Sequence, residues 1–174
     1  MIAELDAGLL ILRVVVGLLM AGHGSQKLFR WFGGKGLDEH VKVMRKLNVH
    51  PAGLWGWLSA LSEFLGGLGL LFGLLTPLAA AAVLGPMLVA IIRVHWPKGI
   101  WNTSGGFEFP LLMGTVALVI GLTGPGAYSL DAALGLALPD PTTFIIALVL
   151  VLIGVGAALL PMASGQERTQ NRPM

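Results

Sequence analysis

The sequence predicts an all-α fold, a polytopic bundle of transmembrane helices in a lipid bilayer. Apolar residues make up 55% of the 174 residues and charged residues only 11%, whereas a soluble domain carries about 25% charged residues. Five apolar stretches are close to the length of about 20 residues that crosses the hydrocarbon core of a bilayer. They cover residues 7–28, 54–75, 78–94, 107–123 and 142–160. We therefore predict one transmembrane domain over residues 1–161 and a disordered polar tail over residues 162–174.

The first stretch carries a charge inside it and ends in a polar sequence. Arg13 lies among apolar residues, and the stretch closes on the run from His23 to Lys27, which reads H-G-S-Q-K. A charge at this depth costs about 2.5 to 3.5 kcal/mol unless a group inside the protein pairs with it. Glu4 and Asp6 precede the stretch without any Lys or Arg, and the stretch is longer than the apolar core of a signal peptide. We therefore expect it to be retained as a helix.

The longest polar loop follows this stretch and covers residues 30–51. Its apolar residues recur at spacings of four, three and three, opposite a set of basic residues, and are Leu37, Val41, Met44 and Leu47. This spacing predicts an amphipathic helix in the membrane interface, with its basic face toward the lipid headgroups. A surface loop with a single helical turn is the alternative.

Proline residues separate the remaining stretches. Thr76-Pro77 leaves room only for a tight turn between the second and third stretches, so these two helices should be antiparallel neighbours. Residues 128–138 are mildly apolar but too short to cross the bilayer, and Pro139 stops them. We expect an interfacial or re-entrant helix in this segment, before the fifth stretch.

The distribution of basic residues predicts the orientation in the membrane. If all five stretches cross, the loops that carry Lys and Arg lie on the same side as residues 162–174. The opposite side holds the N-terminus, the Thr76-Pro77 turn and residues 124–141, and it has no Lys or Arg. Because basic loops stay in the cytoplasm, we expect the N-terminus outside and the C-terminus in the cytoplasm.

This orientation brings ionisable side chains together at the cytoplasmic leaflet. They are His23, Lys27, Glu63, Arg93, His95 and Glu108. Glu63 lies about 13 Å deep, where a carboxylate must be neutral or paired. Arg13 lies nearer the outer side, and we expect it to pair with Glu63 or Asp131. Lys27 and Arg93 also have a purely structural explanation, because basic side chains at helix ends reach the headgroups.

Several short motifs follow one another along the chain. Residues 22–34 read G-H-G-S-Q-K-L-F-R-W-F-G-G, residues 63–67 read E-F-L-G-G, and residues 73–76 read G-L-L-T. Val94-His95, residues 106–108 (G-F-E) and residues 124–131 (G-P-G-A-Y-S-L-D) come after them. In this order, over residues 8–131, they resemble the DoxX family of small bacterial membrane proteins. The resemblance implies a bacterial cytoplasmic (inner) membrane protein, and the fifth stretch departs from the four spans that are usual in the family.

The resemblance also implies a link to quinones, because DoxX is similar to DoxD, the membrane subunit associated with thiosulfate:quinone oxidoreductase. The chain has no Cys, so it holds no Cys-ligated cluster or dithiol, and a partner or a bound cofactor must carry any electrons. A quinone needs hydrogen-bond donors at its carbonyl groups and protons on reduction. We predict a ligand site of His23, Gln26, Lys27, Arg93 and His95, with Glu63 and Glu108 moving protons and Arg13 holding Glu63.

Other functions stay open at this point. His23 and His95, with Glu108, could ligate a b-type haem or a metal ion, although no motif for a soluble cofactor is present. The chain could also be a small-molecule transporter or a non-catalytic scaffold subunit beside a membrane or soluble oxidoreductase, so catalysis is left open. Glycine-rich runs allow close helix approach within the chain or in a homo-oligomer. The sequence predicts no nucleic-acid partner.

Overall fold

Helices account for most of the chain in a computed structural model, which describes residues 2–136, 138, 139 and 141–160. They are α1 (Ile2–Leu28), α2 (Leu37–Lys46), α3 (Ala52–Phe72), α4 (Thr76–Val89), α5 (Glu108–Thr123), α6 (Leu130–Ala133) and α7 (Thr142–Leu159). These residues contain no strand. The predicted class, an all-α polytopic bundle, is confirmed. The tail predicted to be disordered lies outside the described residues.

Four helical segments are long and apolar enough to cross a membrane. They are Ala3–Leu28, Ala52–Phe72, Thr76–Lys98 and Thr142–Leu159. The fourth predicted stretch forms α5, which has 16 residues and is therefore about 24 Å long. The helices lie within a few residues of the predicted stretches, except that α1 begins at Ile2 rather than at residue 7.

The five long helices alternate in direction, which gives the bundle two distinct ends. The guanidinium of Arg93, just after α4, donates to the carbonyl of Leu159 at 2.6 Å, so α4 and α7 finish at the same end. At the other end Phe144, near the start of α7, packs against Gly121 near the finish of α5. We call these the Lys27 end, where α1 finishes, and the Asp131 end, where α3 finishes.

The closest helix contact in the bundle is between α1 and α3. A side chain at Gly24 would collide with the backbone of Phe64, and one at Gly67 would collide with the backbone of Ala21. Glycine at these positions allows the two backbones to touch, which matters in a bilayer because lipid provides little hydrophobic drive for helix association. The contact also fixes how far α1 is shifted along α3.

We expect Gly24→Ala to lower the free energy of unfolding by about 1 to 3 kcal/mol, the usual cost of forcing extra atoms into a packed interior. Gly22→Ala is the matched control, because a side chain at Gly22 would meet nothing within 4 Å. Alanine also favours a helix more than glycine does, so the control should be neutral or slightly stabilising. Reversible unfolding in mixed detergent micelles measures both variants, and equal effects would show that α1 and α3 are not packed this closely.

The predicted amphipathic helix is present as α2, and it does more than lie on the membrane surface. Its Met44 is buried in a small core with Val49, Ala52 and Ala158. Val41 packs against Gly56 on α3. Helix α2 is therefore docked against α3 and the final turn of α7, and it covers the Lys27 end of the bundle.

The turn between α3 and α4 has the tight form that Thr76-Pro77 predicts. Gly73 ends α3 with a φ of 61°, a left-handed conformation that suits glycine, and α4 begins at Thr76. Pro86 lies inside α4, and after Val89 the chain continues as a π-helix over Ala90–His95.

The expectation of an interfacial or re-entrant helix over residues 128–138 is wrong in its extent. Among the described residues of this segment, helical structure is limited to the four residues of α6. Gly135, with a φ of 65°, turns the chain away shortly after Ala133.

Candidate functional site

A buried ion pair joins α1 to α3 near the Lys27 end. The ammonium of Lys27 donates to Oε1 of Glu63. The side chain of Glu63 is 3% exposed and that of Lys27 is 24% exposed, so the pair lies mostly inside the protein with the lysine toward its edge. The second carboxylate oxygen, Oε2, is buried and has no hydrogen-bond partner among the described residues. One oxygen of Glu63 is thus available to a proton or a ligand.

The predicted pairing of Arg13 with Glu63 is wrong. Lys27 lies 14 residues further along α1 than Arg13, a separation of about 21 Å, and the contact between α1 and α3 places Glu63 beside the lysine. Arg13 instead packs against Gly73, at the C-terminus of α3, and donates to the backbone carbonyl of Tyr128. The depth of each group in its own helix can be read from the sequence, whereas the shift between the two helices cannot.

The structure places Arg13 in the neighbourhood of Asp131, which is the other predicted partner. Asp131 is buried and accepts hydrogen bonds from the backbone N–H groups of Leu75 at 2.7 Å and Thr76 at 2.9 Å. It therefore caps the N-terminus of α4 from 55 residues away. This cluster holds the Asp131 end together and is separate from the Lys27–Glu63 pair.

Sequence analysis missed His40, which also lies at the Lys27 end. We call Lys27, Glu63, His40 and Ser59 the polar group. Nε2 of His40 shares a 3.3 Å hydrogen bond with Oγ of Ser59 on α3. Burial, and to a smaller extent the positive charge of Lys27, lowers the pKa of His40 from its ordinary value of 6.5 to about 4. The sequence spacing could have indicated its burial, because His40 lies three residues after Leu37 and four before Met44, on the apolar face of α2.

We expect the thermal stability of the protein in lipid nanodiscs to fall as the pH drops from about 6.5 to about 4. In this range the unfolded state protonates His40 and the folded state does not, because burial holds the folded pKa below the unfolded one. The unfolded state thus binds more protons, so stability must decrease as the pH falls. Above pH 6.5 the residue should have no effect.

Apparent melting temperatures of the wild type and of His40→Gln between pH 4 and 7 test this expectation. Glutamine keeps a polar group for Ser59 but cannot titrate, so the decrease in this range should shrink. His50→Gln is the control at a histidine outside the polar group. If His40→Gln retained the full decrease, His40 would not be its source.

The other predicted ligand residues of α1 lie near the polar group but make separate contacts. The ring of His23 packs against Phe109 with ring centres 5.2 Å apart. His23 is four residues before Lys27, so both lie on one face of α1. The side-chain amide of Gln26 donates to the carbonyl of Phe32 at 3.2 Å and fixes the loop after α1.

The predicted residues around the connection from α4 to α5 are Arg93, His95 and Glu108. Each of them forms a hydrogen bond with a backbone group. Nδ1 of His95 lies 2.6 Å from the carbonyl oxygen of Gly105 and must carry the proton, because a carbonyl oxygen only accepts. Oε2 of Glu108 accepts from the backbone N–H of Asn102 at 2.9 Å, and this side chain is exposed. Arg93 caps the last turn of α7 through Leu159. No group of three or more His, Asp or Glu suited to a metal ion occurs in the part of the chain that the structure describes.

An apolar pocket lies beside the polar group, between α3, α4 and α7. Its volume is about 280 Å³, and one end touches α2. Its lining residues are apolar apart from two serines on α3, Ser59 and Ser62. Ser59 is the residue that shares a hydrogen bond with His40. The pocket thus connects to the polar group through one hydroxyl.

Comparisons with known proteins agree with this architecture. The sequence profile of the DoxX family matches residues 8–96, which include most of α1 and all of α2, α3 and α4. The chain is also similar to the inner membrane protein YqjF of Escherichia coli strain K12, with 31% identity over 132 residues that cover 74% of this chain and 93% of that protein. No solved structure matches the chain. By these two matches the chain belongs to the DoxX family of membrane proteins.

Proposed function

We propose that the protein is a quinone-linked subunit of a membrane oxidoreductase complex, in which it binds the quinone and moves protons. The observation that carries this proposal is the buried Lys27–Glu63 pair, whose Oε2 has no hydrogen-bond partner among the described residues. The hydrogen-bonded residues His40 and Ser59 lie about one helical turn away along α3. Buried ionisable groups inside a membrane protein are costly and commonly mark a ligand or proton pathway. The apolar pocket beside them suits a lipid-soluble ligand.

The residues of the group have distinct roles in this proposal. A bound quinone takes up two electrons, supplied by the redox centre of a partner oxidoreductase, and two protons. Lys27 donates to Oε1 of Glu63 and offsets its negative charge, which leaves Oε2 to accept or release a proton. His40 is neutral at pH 7 and lies on α2 at the surface of the bundle, where it can exchange protons with water.

The remaining predicted residues divide into two sets. His23 faces the same side of α1 as Lys27, so we place it beside the Lys27–Glu63 pair, where it takes part in proton delivery. Gln26, Arg93, His95 and Glu108 hold loops and helix ends through backbone carbonyl or N–H groups. In our proposal these four shape the site, and Glu63 rather than Glu108 handles the proton.

Organic extraction of the protein purified in mild detergent tests the proposal, with mass spectrometry and a visible spectrum of the extract. We expect about one quinone per chain, and His50→Ala should leave this amount unchanged. If only phospholipid were found, the proposal would fail. Uptake assays in proteoliposomes would then separate a transporter from a scaffold subunit.

We further propose that the protein lies in the bacterial inner membrane with its Lys27 end in the cytoplasm. The relative named above is an inner membrane protein. Within the described residues every Lys and Arg except Arg13 belongs to the Lys27 end, namely Lys27, Arg30, Lys35, Lys42, Arg45, Lys46, Arg93 and Lys98. Glu4, Asp6 and Asp131 belong to the Asp131 end. This asymmetry is the one that the positive-inside rule describes.

Reporter fusions test this orientation. A fluorescent protein that folds only in the cytoplasm should be active after Met174, and alkaline phosphatase, which needs the periplasm, should be inactive there. The same pair inserted at Gly135, in the loop before α7, should give the opposite result. Periplasmic activity after Met174 would overturn the five-span arrangement or its direction.

A further inference from the structure

The pocket between α3, α4 and α7 has a defined distribution of polar groups. Ser59 and Ser62 are three residues apart, so their hydroxyl groups lie on one face of α3. The hydroxyl of Ser62 has no hydrogen-bond partner among the residues that the structure describes. No charged side chain lines the pocket. Its chemistry is therefore an apolar cavity with two hydroxyl groups on one wall.

The rest of the pocket is shaped by an aromatic ring on the same face of α3 and by glycines on the facing helices, Gly85 on α4 and Gly154 on α7. Trp55 lines the pocket, and its indole N–H donates to the carbonyl of His50 at 2.9 Å, which fixes the ring. A Cβ atom at Gly154 on α7 would come only to ordinary contact with that ring, at 3.6 Å. The absence of a side chain at Gly154 therefore leaves space beside Trp55, and that space is part of the pocket.

We propose that this pocket, rather than the surface around Lys27, binds the ring of the quinone. A quinone ring is flat and apolar and carries carbonyl oxygens at its edge, so it needs an aromatic or aliphatic enclosure and a few hydrogen-bond donors. Trp55 provides a face for stacking, and Ser62 and Ser59 provide hydroxyl groups on one side. This inference rests on the proposed quinone-linked function and assigns its ligand to a specific site.

The size and charge of the pocket distinguish the ring from other membrane components. A volume of about 280 Å³ is at the small end of ligand pockets, so it accommodates a ring while the isoprenoid tail extends into the bilayer. A phospholipid headgroup would bring a phosphate, and the pocket has no charged residue to pair with it. The pocket is completed by α7, which lies beyond the part of the chain that the family profile matches.

Ser59 connects this pocket to the proton-handling group. It shares its hydrogen bond with His40, and Glu63 is four residues further along α3, on a neighbouring part of the same face. In this arrangement His40 is a positioning residue that sets the orientation of the Ser59 hydroxyl. A ring bound at Ser59 and Ser62 would therefore lie within about one helical turn of Glu63.

Tryptophan fluorescence in lipid nanodiscs tests the site, because quinones quench indole fluorescence at short range. The ligands are a short-tailed benzoquinone and a short-tailed naphthoquinone, titrated against the wild type and against Trp55→Phe. We expect a saturable quenching component in the wild type and its loss in Trp55→Phe. Quenching of the exposed tryptophans by quinone dissolved in the lipid should be linear and common to both proteins.

Two substitutions on α7 form a matched pair. Gly154→Leu should fill the pocket and weaken saturable binding by at least about tenfold. Gly156→Leu adds the same side chain two residues away, where a Cβ atom meets nothing within 4 Å, and it should change binding by less than about twofold. Ser62→Ala removes one hydroxyl with little risk to folding and should weaken binding several-fold. This variant tests the site even if Gly154→Leu does not fold.

The outcomes separate this inference from the proposed function. Saturable binding that Gly154→Leu and Ser62→Ala leave unchanged would place the quinone elsewhere, and the inference would be wrong while the function stood. No saturable binding of either quinone would overturn both. A lipid acyl chain that native mass spectrometry finds in the pocket, and that quinone does not displace, would also overturn the inference.

Discussion

Replacing Lys27 with methionine should destabilise the protein by about 3 to 5 kcal/mol, the usual cost of removing one member of a buried ion pair. The loss arises because the carboxylate of Glu63, which is 3% exposed, would remain inside the bundle without a counter-charge. Glu63→Gln should cost less, about 1 to 2 kcal/mol, since the ammonium of Lys27 is partly exposed and can reach the lipid headgroups.

A double variant, Lys27→Met with Glu63→Leu, should recover most of the stability that Lys27→Met loses. Two apolar side chains of similar volume replace a buried ion pair with little net cost. The difference between the double variant and the two single variants measures the interaction itself. Reversible unfolding in mixed detergent micelles gives each free energy of unfolding.

The chain offers a matched control on its surface. Lys42 also binds a glutamate, Glu39, at 2.6 Å, but both side chains are about half exposed. Lys42→Met should therefore change the free energy of unfolding far less than Lys27→Met, because exposed ion pairs contribute little to stability. If Lys27→Met cost no more than Lys42→Met, the Lys27–Glu63 pair would not be a buried interaction.

The helices could be predicted from the sequence, and most of their contacts could not. Apolar length, the Thr76-Pro77 turn and the spacing of Leu37, Val41 and Met44 each depend on neighbouring residues, so they can be read directly from the chain. The partner of Glu63 depends instead on how far α1 is shifted along α3. That shift is fixed by backbone contact at Gly24 and Gly67, and glycines alone do not reveal which residues they will meet.

The two missed features of the polar group have the same origin. His40 could be placed on the apolar face of α2, but its contact with Ser59 requires that α2 dock against α3 rather than lie on the lipid surface. The pocket requires α7 to pack beside α3 and α4. Both depend on tertiary packing between elements that are distant in the sequence.

Asp131 shows most clearly how a distant contact can control local structure. Leu75, at the N-cap position of α4, has no side-chain oxygen that could cap the helix, and its φ of 48° is left-handed. The carboxylate of Asp131 performs this task from another segment, with bonds to the N–H groups of Leu75 and Thr76. Its own N–H donates to the carbonyl of Gly73 at 2.9 Å, so Asp131 ties the whole turn between α3 and α4 to α6.

Asp131→Ala should therefore cost more than about 3 kcal/mol of unfolding free energy. It would leave two N–H groups at the start of α4 without a partner, at about 1 to 3 kcal/mol each. It would also remove the nearby negative charge that offsets Arg13, which is 1% exposed and has two buried guanidinium nitrogens without a hydrogen-bond partner among the described residues. A buried charge that loses its counter-charge is costly in itself.

Asp6→Ala is the control at the same end of the bundle, because Asp6 also accepts from a backbone N–H, that of Ala127 at 2.9 Å, but in an exposed position. It should cost less than about 1 kcal/mol, since water can replace an exposed acceptor. Arg13→Met combined with Asp131→Asn should be less destabilised than Asp131→Ala, because the uncompensated charge is then absent and one cap bond remains. If Asp131→Ala behaved like Asp6→Ala, the carboxylate would not be the group that holds the start of α4 and the guanidinium of Arg13 in place.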